Sequence, residues 1–233
     1  MKTAAPLDPI SFIISFVTEY YPFIIEGFLT TVEMTFLGLA GGFVLGILSA
    51  LGDVYGTKLM KVIIAGYVEF FRGSPLIVQL LFFYFSIPAL TGLNWDAFTA
   101  GAVTLMLNSG AYQKGYFKGA IEAVFKDQLM AAKSLGMTFR QTLTHVVLPQ
   151  ALRIVIPPWT NEYVSLGLST SALIVLGIRE LTNISKSIAA QTFRPLEVYL
   201  FASAIYFLWI TISMKIFDWI YEKVKIPGLE VNI

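Results

Sequence analysis

Uninterrupted apolar length is the feature that most limits what this chain can become. From Phe28 to about Leu51 the residues are predominantly apolar or small, a run of roughly 24 residues or about 36 Å of helix. That matches the hydrocarbon core of a bilayer, where helices and closed barrels alone satisfy every backbone polar group. Further apolar stretches follow, so the expected class is all-α and integral to a membrane. Composition agrees: 13% of residues are charged, against roughly 25% in soluble domains, too few to coat a water-facing surface. Sixteen Lys and Arg against fifteen Asp and Glu leave a net charge of +1, which removes the basic field that nucleic acid requires. With no Cys and a single His, disulfide frameworks, thiol nucleophiles and multi-histidine metal cages are excluded. No Gly-rich stretch ends in Gly-Lys-Ser or Gly-Lys-Thr, so the chain carries no P-loop motor of its own.

Residues 1–26 mix Pro6, Asp8, Pro9, Glu19 and Pro22 with aromatics; their apolar runs are short, which predicts an interfacial segment without the cleavage pattern of a removable signal. The first span follows, with Gly38, Gly42 and Gly46 on one helical face for close packing. A second apolar stretch runs from Leu59 to about Leu90, with Glu69 and Arg72 spaced to pair at its inner boundary and Gly73 and Pro75 placed to bend it. A third span runs from about Ala97 to Tyr112. Residues 113–153 then carry Lys114, Lys118, Lys126, Lys133, Arg140 and Arg153 with no span-length apolar run, which reads as a cytoplasmic excursion. A fourth span follows Pro157 and Pro158 and ends near Ile178; a fifth runs from about Leu196 to Ile220, before Lys223 and Lys225. These basic segments place the N-terminus outside and the C-terminus in the cytoplasm, with the loop 179–194 a mild exception. The expected organisation is an N-terminal segment (1–26), a transmembrane domain (27–225) containing the loop 126–150, and a C-terminal tail (226–233).

That loop is the most informative stretch. Met130-Ala131-Ala132-Lys133-Ser134-Leu135-Gly136-Met137 leads, after nine residues from Gly136, into Val146-Val147-Leu148-Pro149. The pattern predicts two short amphipathic helices hinged at Gly136 and closed by Pro149. Leu129, Ala132 and Leu135 share a face of the first, and Phe139, Leu143 and Val146 a face of the second. Such a unit needs a covering surface, either the protein's own spans or a separate subunit. His145 within it is read as a packing or hydrogen-bonding residue.

The loop resembles the motif with which permeases of ABC importers dock on their ATPases: Glu-Ala-Ala, three residues, Gly, nine residues, Ile-x-Leu-Pro. Ala131, Ala132, Gly136, Leu148 and Pro149 match at the same spacing; Met130 stands where the family has Glu, and Val146 where it has Ile. Gly27-Phe28-Leu29-Thr30-Thr31-Val32, the stretch from Tyr67 to Gln79, and Leu148-Pro149-Gln150-Ala151-Leu152-Arg153 with Pro157-Pro158 and Asn161-Glu162 resemble the permeases for polar amino acids of the histidine, glutamine and arginine type. The resemblance implies the type I importer permease fold with five transmembrane helices and a cytoplasmic coupling-helix loop. It also implies coupling through Met130, Ala131, Ala132, Lys133, Leu135, Gly136, Met137, Leu148 and Pro149. The implied partners are ATPase subunits that bind ATP and Mg, a second permease copy or paralogue, an extracytoplasmic solute-binding protein and membrane lipid, in the cytoplasmic membrane of a prokaryote. No cofactor or metal is expected in the chain itself. Two departures bear on the solute: Leu168 and Ser169 stand where relatives carry Lys and Asp, and Gly115 where they carry Glu.

Polar groups at membrane depth tend to face the bundle interior or a cavity. Gln79, Asn108, Ser109, Tyr112, Ser165, Ser169, Thr170 and Ser171 are therefore the candidates for a solute path, set against helix–helix hydrogen bonding as the plainer reading. Glu162, four residues after Pro158, is expected near the cytoplasmic boundary in a structural pairing with Arg153 or Arg72. The expected function is an ATP-driven amino-acid permease without catalytic residues of its own. Three rivals fit less well. An ion-gradient-driven transporter would show internal repeats or intramembrane carboxylates at midplane, an intramembrane enzyme paired catalytic groups, and a channel a filter or charged ring.

Overall fold

A computed structural model describes the backbone of residues 9–225 and, within it, the side chains from Thr18 onward except 125–127 and 129. The expected tail over 226–233 and the first eight residues of the expected N-terminal segment lie outside the described residues. Among the described residues every regular element is helical. α1 (Pro9–Tyr55) is one helix of 47 residues that passes through Pro22 without a break, about 70 Å long. The position at residue 27 expected to divide segment from span thus falls inside a helix. One member of the first apolar run departs from it: Glu33, exposed on α1.

α5 (Ala97–Ser134) lies along α1 and runs parallel to it, since Gly38 meets Leu105, Gly42 meets Ser109 and Gly46 meets Gln113 in ascending order. A Cβ placed on Gly42 would lie 2.7 Å from Gln113 Nε2 and 2.8 Å from Ser109 Cβ, so glycine alone allows this approach. The glycine face expected from spacing is therefore the seam between the two helices, where packing replaces the missing hydrophobic drive. Asp53 closes its far end, with Oδ2 2.6 Å from Lys114 Nζ and 2.9 Å from Lys118 Nζ.

Parallel neighbours require the chain to return between them. α2 (Lys58–Gly73) starts that return, capped by Thr57, and the run Leu76–Thr91 finishes it after a bend of 111°. Ser74 is extended (φ −119°, ψ 148°), as the residue before proline prefers; the bend anticipated at Gly73 and Pro75 sits there. The second run comprises α3 (Leu76–Leu81), a π-helical turn (Phe82–Ser86) and α4 (Ile87–Thr91). α5 continues as one helix past Tyr112, where the apolar span is expected to end, to Ser134, because the lysines beyond Tyr112 interrupt hydropathy without interrupting helix propensity.

Beyond the turn at Gly136 come α6 (Phe139–Thr142), a second π-helical turn (Leu143–Val147) and α7 (Leu148–Ile154). Pro149 does not close the helix, as the sequence reading expects; the chain stays helical through it to Ile154. Both π turns end two residues before a proline, Pro88 and Pro149. Each proline lacks the N–H that an α turn requires and its ring crowds the carbonyl four residues back; a wider turn there relieves both.

α8 (Ile156–Ser169) runs antiparallel to α5, with Trp159 on Gln113 and Glu162 on Ser109. A 3₁₀ segment (Thr170–Leu176) and the left-handed Gly177 (φ 75°) lead to α9 (Leu181–Thr192), bent 55° from the preceding run. Glu180 caps α9. Its fully buried carboxylate accepts from the Asn183 N–H at 2.6 Å, the Thr182 N–H at 2.8 Å and the Tyr206 hydroxyl at 3.2 Å. In the sequence this residue reads only as a counter-charge to its basic neighbours. α10 (Pro195–Val224) returns along α8, with Tyr163 on Ser213 and Trp159 on Phe217. By length and composition α1 and α10 each suffice to cross a bilayer, and the number is up to four where each bent pair counts as one broken span. The remaining expected crossing is α5, which earns that place by packing along α1 despite Lys114 and Lys118.

Candidate functional site

Two places carry the sequence-derived candidates. The first is the turn after α5. Gly136 adopts φ +72°, the Gly136 N–H donates to Lys133 O and the Met137 N–H to Ala132 O, both at 3.0 Å. This is the paired bonding of a Schellman ending. One residue on, Thr138 and Gln141 form a reciprocal capping box that starts α6. The corner between the helices is thus fixed by local hydrogen bonds at both ends. Its outer surface is apolar and bare: Leu135 is 80% exposed and Met130 71%, with Phe139 half exposed beside Tyr55. Ala131 and Lys133 are exposed, Met137 and Leu148 half-buried, Pro149 exposed and Ala132 buried.

The faces differ from those expected. Ala132 points inward while Leu135 points out. On the second helix the packed stripe is Val147, Ala151 and Val155, seated against Ala50, Phe117, Ile121 and Val124; of the Phe139, Leu143, Val146 stripe that regular α spacing gives, Leu143 packs on the same cluster and Phe139 and Val146 do not belong to it. The π turn at Leu143–Val147 adds a residue to its turn and shifts the register. Both surfaces weighed for this unit are therefore used: the protein's own helices cover the Val147 face, and the Leu135 tip has no cover within the chain.

The second place is a cavity of about 140 Å³ lined by Ser74, Leu76, Asn108, Tyr112, Glu162, Ser165, Leu166 and Ser169. It opens where the α2–α3 break leaves polar backbone unpaired by helix. Gln79, fully buried, spends its amide on that break, donating to Phe71 O at 2.8 Å and Ser74 O at 3.0 Å. Its oxygen accepts from Asn108 Nδ2 at 2.9 Å. Gln79 therefore positions Asn108, which lines the cavity. Glu162, Ser165 and Ser169 share one face of α8, and Ser109 donates to Glu162 Oε1 at 2.7 Å from behind. Tyr116 holds the other oxygen at 3.4 Å. Glu162 is thus buried in the bundle; its described hydrogen-bond partners are hydroxyls, and of the two expected arginines Arg72 acts on it through charge without a direct ion pair. Arg72 pairs with neither Glu69 nor Glu162 among the described ion pairs; its guanidinium lies over the Tyr112 ring, 5.1 Å from the centroid. It also stands 4.0 Å from where a Cβ on Gly115 would be.

The structure accordingly brings Asn108, Tyr112, Ser165 and Ser169 together, with Gln79 and Ser109 directly behind them. Thr170 is buried and bonds to Gly167 O, and Ser171 bonds to Leu168 O. Ser171 lines a separate apolar cavity of about 520 Å³ with Leu168, Ser203 and Tyr206. Sequence reasoning missed Ser74 and Glu162 as cavity walls. The i, i+3, i+7 spacing of Glu162, Ser165 and Ser169 carried the signal for the second; Ser74 had none, because its place depends on the bend. Among the described residues no group of acidic and His side chains is arranged to hold a metal.

Residues 42–226 match the family described as binding-protein-dependent transport system inner membrane component. The chain is 38% identical over 195 residues to the glutamine transport system permease protein GlnP of Escherichia coli (strain K12), covering 83% of this chain and 89% of that one. It is 34% identical over 203 residues to the probable glutamine ABC transporter permease protein GlnM of Bacillus subtilis (strain 168), covering 87% and 93%. Among solved structures it superposes on an amino acid ABC transporter crystallised with histidines, at a TM-score of 0.83 and 32% identity over 94% of this chain and all of that one. It shares its fold with the inward-facing methionine transporter MetNI, at a TM-score of 0.76, 18% identity and 89% and 98% coverage.

Proposed function

Because the chain belongs to the family of binding-protein-dependent transport system inner membrane components, the permease subunits of ATP-driven importers, we propose that it conducts a polar amino acid past Asn108, Tyr112, Ser165 and Ser169. The observation that carries this reading is the cavity where those four groups meet Ser74 and Glu162. A solute with an ammonium group and amide or hydroxyl functions finds there a carboxylate, an amide and three serine hydroxyls. The relatives named for glutamine, and the solved neighbour crystallised with histidines, support the same class. At about 140 Å³ the cavity is smaller than the roughly 300 Å³ at which ligand pockets begin. One subunit thus supplies half of a site, and a second copy or paralogue completes it.

The coupling proposal rests on the bare tip. Met130, Leu135 and Phe139 project from a locally rigid corner whose other face, through Val147 and Ala151, is packed on α1 and α5. A separate ATPase that grips the tip moves those helices as a body, which is how alternating access is generally achieved. In this reading ATP and Mg reside on the ATPase, Ala131, Ala132, Lys133, Gly136, Met137, Leu148 and Pro149 shape the corner, and a solute-binding protein delivers at the opposite end. The N-terminus lies outside and the C-terminus in the cytoplasm of a prokaryotic cell membrane. The permease domain spans 27–225, with the coupling loop at 126–150.

The test is reconstitution of the permease with its ATPase and binding protein in proteoliposomes. Uptake of labelled glutamine, histidine or arginine is expected to require ATP, and Asn108→Leu is expected to lower it at least tenfold while ATPase subunits still co-purify. Uptake sustained by an ion gradient with the ATPase absent sinks the proposal.

A further inference from the structure

At the end of the molecule opposite the Gly136 turn, α1 and α9 enclose a cleft of about 350 Å³ that takes no part in the proposed path. Tyr20 and Phe23 form one wall, Asn183, Ser187 and Gln191 the other, and Arg179 stands at the rim; buried Ile184 and Ile188 form the apolar floor. Among the described residues Arg179 has one long ion-pair contact, Nε to Glu26 Oε1 at 3.5 Å, with both side chains more than half exposed. A pair so open to water contributes little to stability, and the terminal nitrogens of the guanidinium fork remain to serve a ligand. Glu26 does not line the cleft itself, but its contact with Arg179 sets one anion beside the cation at the rim.

α10 gives the depth of the cleft. Between Glu197 and Lys215 its sequence has no charged residue for 17 positions, about 26 Å of helix, close to the roughly 30 Å of a hydrocarbon core. Glu197 thus marks one bilayer edge. Val198, the next residue, packs in one cluster with Ile24, Ile184 and Ile188, so the cleft lies at that edge. Tyr20 on its aromatic wall is a residue type enriched at the membrane–water interface.

From these observations we infer that the Arg179 cleft is a binding site for a zwitterionic phospholipid headgroup, with the phosphodiester on Arg179 and the ammonium on Glu26. The shared chemistry is a zwitterion whose anion and cation are a few atoms apart, and a free amino acid has it too. The bilayer-edge position and the aromatic wall favour the lipid. The site stands apart from the Asn108 cavity, so it holds whether or not the proposed solute is right.

Native mass spectrometry of the assembled transporter, offered phosphatidylethanolamine or phosphatidylglycerol, tests the inference. The wild type is expected to retain phosphatidylethanolamine at least fivefold better. Arg179→Gln is expected to lose that retention, Glu26→Gln to shift preference to phosphatidylglycerol, and Ser187→Trp, which fills the cleft, to lose both lipids. All three positions are exposed, and thermal midpoints matching the wild type confirm intact folding. Retention unaffected by Arg179→Gln and Ser187→Trp overturns the site. Displacement of the lipid by millimolar free glutamine or arginine, or loss of binding-protein association in Arg179→Gln with lipid retention unchanged, overturns the lipid assignment in favour of solute or partner.

Discussion

The seam where α1, α5 and α8 meet and the corner at Gly136 are both small structures built around a glycine, yet they are held in opposite ways. In the seam, Gln113 donates to Leu39 O at 3.1 Å and to Ser109 Oγ at 2.9 Å, and accepts from Trp159 Nε1 at 2.7 Å. Each of those bonds joins a different helix or turn, and Gly42 lets the backbones close around them. At the corner every bond is local: Schellman pairing behind Gly136, a capping box ahead of it, and an apolar tip left bare. The seam is over-determined by tertiary hydrogen bonds, whereas the corner's hydrogen bonds are all its own and its tie to the bundle is apolar packing, through Phe139 on Tyr55 and through the Val147 face. Changes in the seam are therefore expected to act on stability, and changes at the corner on coupling with stability intact.

The largest effect is expected at Gly42. Any Cβ there meets Gln113 and Ser109 below 3 Å, and a leucine drives α1 off α5; overpacking of this kind costs about 3 kcal/mol. Gly42→Leu should lower the denaturation midpoint in detergent sharply and abolish uptake with it. A variant of wild-type stability would show that the seam is loose and the contrast false.

Gln113→Leu comes next. It removes three bonds, and intramembrane hydrogen bonds average about 0.6 kcal/mol each, so the expected loss is about 2 kcal/mol in a denaturation curve. Trp159 fluorescence should also shift, since the indole N–H loses its acceptor. Gln113→Glu, which keeps the Trp159 acceptor, should recover part of the stability.

At the corner, Leu135→Asp reverses the pattern. The side chain is 80% exposed and contributes no packing within the chain, so stability should change by less than about 0.5 kcal/mol. Loss of one apolar anchor from an interface that the proposed ATPase covers should weaken co-purification about tenfold, or about 1.4 kcal/mol. A drop in thermal midpoint comparable to that of Gln113→Leu would mean that Leu135 packs internally after all.

The same contrast explains which parts of the molecule the sequence discloses. The corner was legible at Gly136, whose hinge is written in its near neighbours, whereas the Thr138–Gln141 capping box, equally local, was not drawn from the sequence. The glycine seam was legible as a face, since four-residue spacing implies close packing, although its partner helix was not. Hydropathy marks an apolar run that ends near Tyr112 but says nothing of the helix, which runs on to Ser134 with Lys114 and Lys118 held on Asp53. The packed stripe through Val147 was misassigned because a π turn breaks the α count. The cavity was half legible: polar residues on two spans were found, but Ser74 reaches it only through a 111° bend, an angle that no local pattern encodes. Glu162 was expected at an aqueous boundary, and it is the bend and α5 that bury it.

Gly136 itself sharpens the comparison with the smallest expected effect. A Cβ there has no atom within 4 Å, so space is not what selects glycine, in contrast to Gly42. The constraint is φ +72°, which costs an ordinary L-residue about 1–2 kcal/mol and asparagine less, since asparagine also serves as a helix C′ residue. Gly136→Asn should then change stability by a few tenths of a kcal/mol and leave ATP-dependent uptake close to the wild type, whereas Gly136→Val should cost several times more through the backbone alone. If instead Gly136→Asn and Gly136→Val uncouple ATP hydrolysis from uptake to the same degree, with both proteins folded, then the ATPase must pack against the α-hydrogens of Gly136 directly. The corner would in that case share the seam's principle of close approach, with its second surface supplied by another chain.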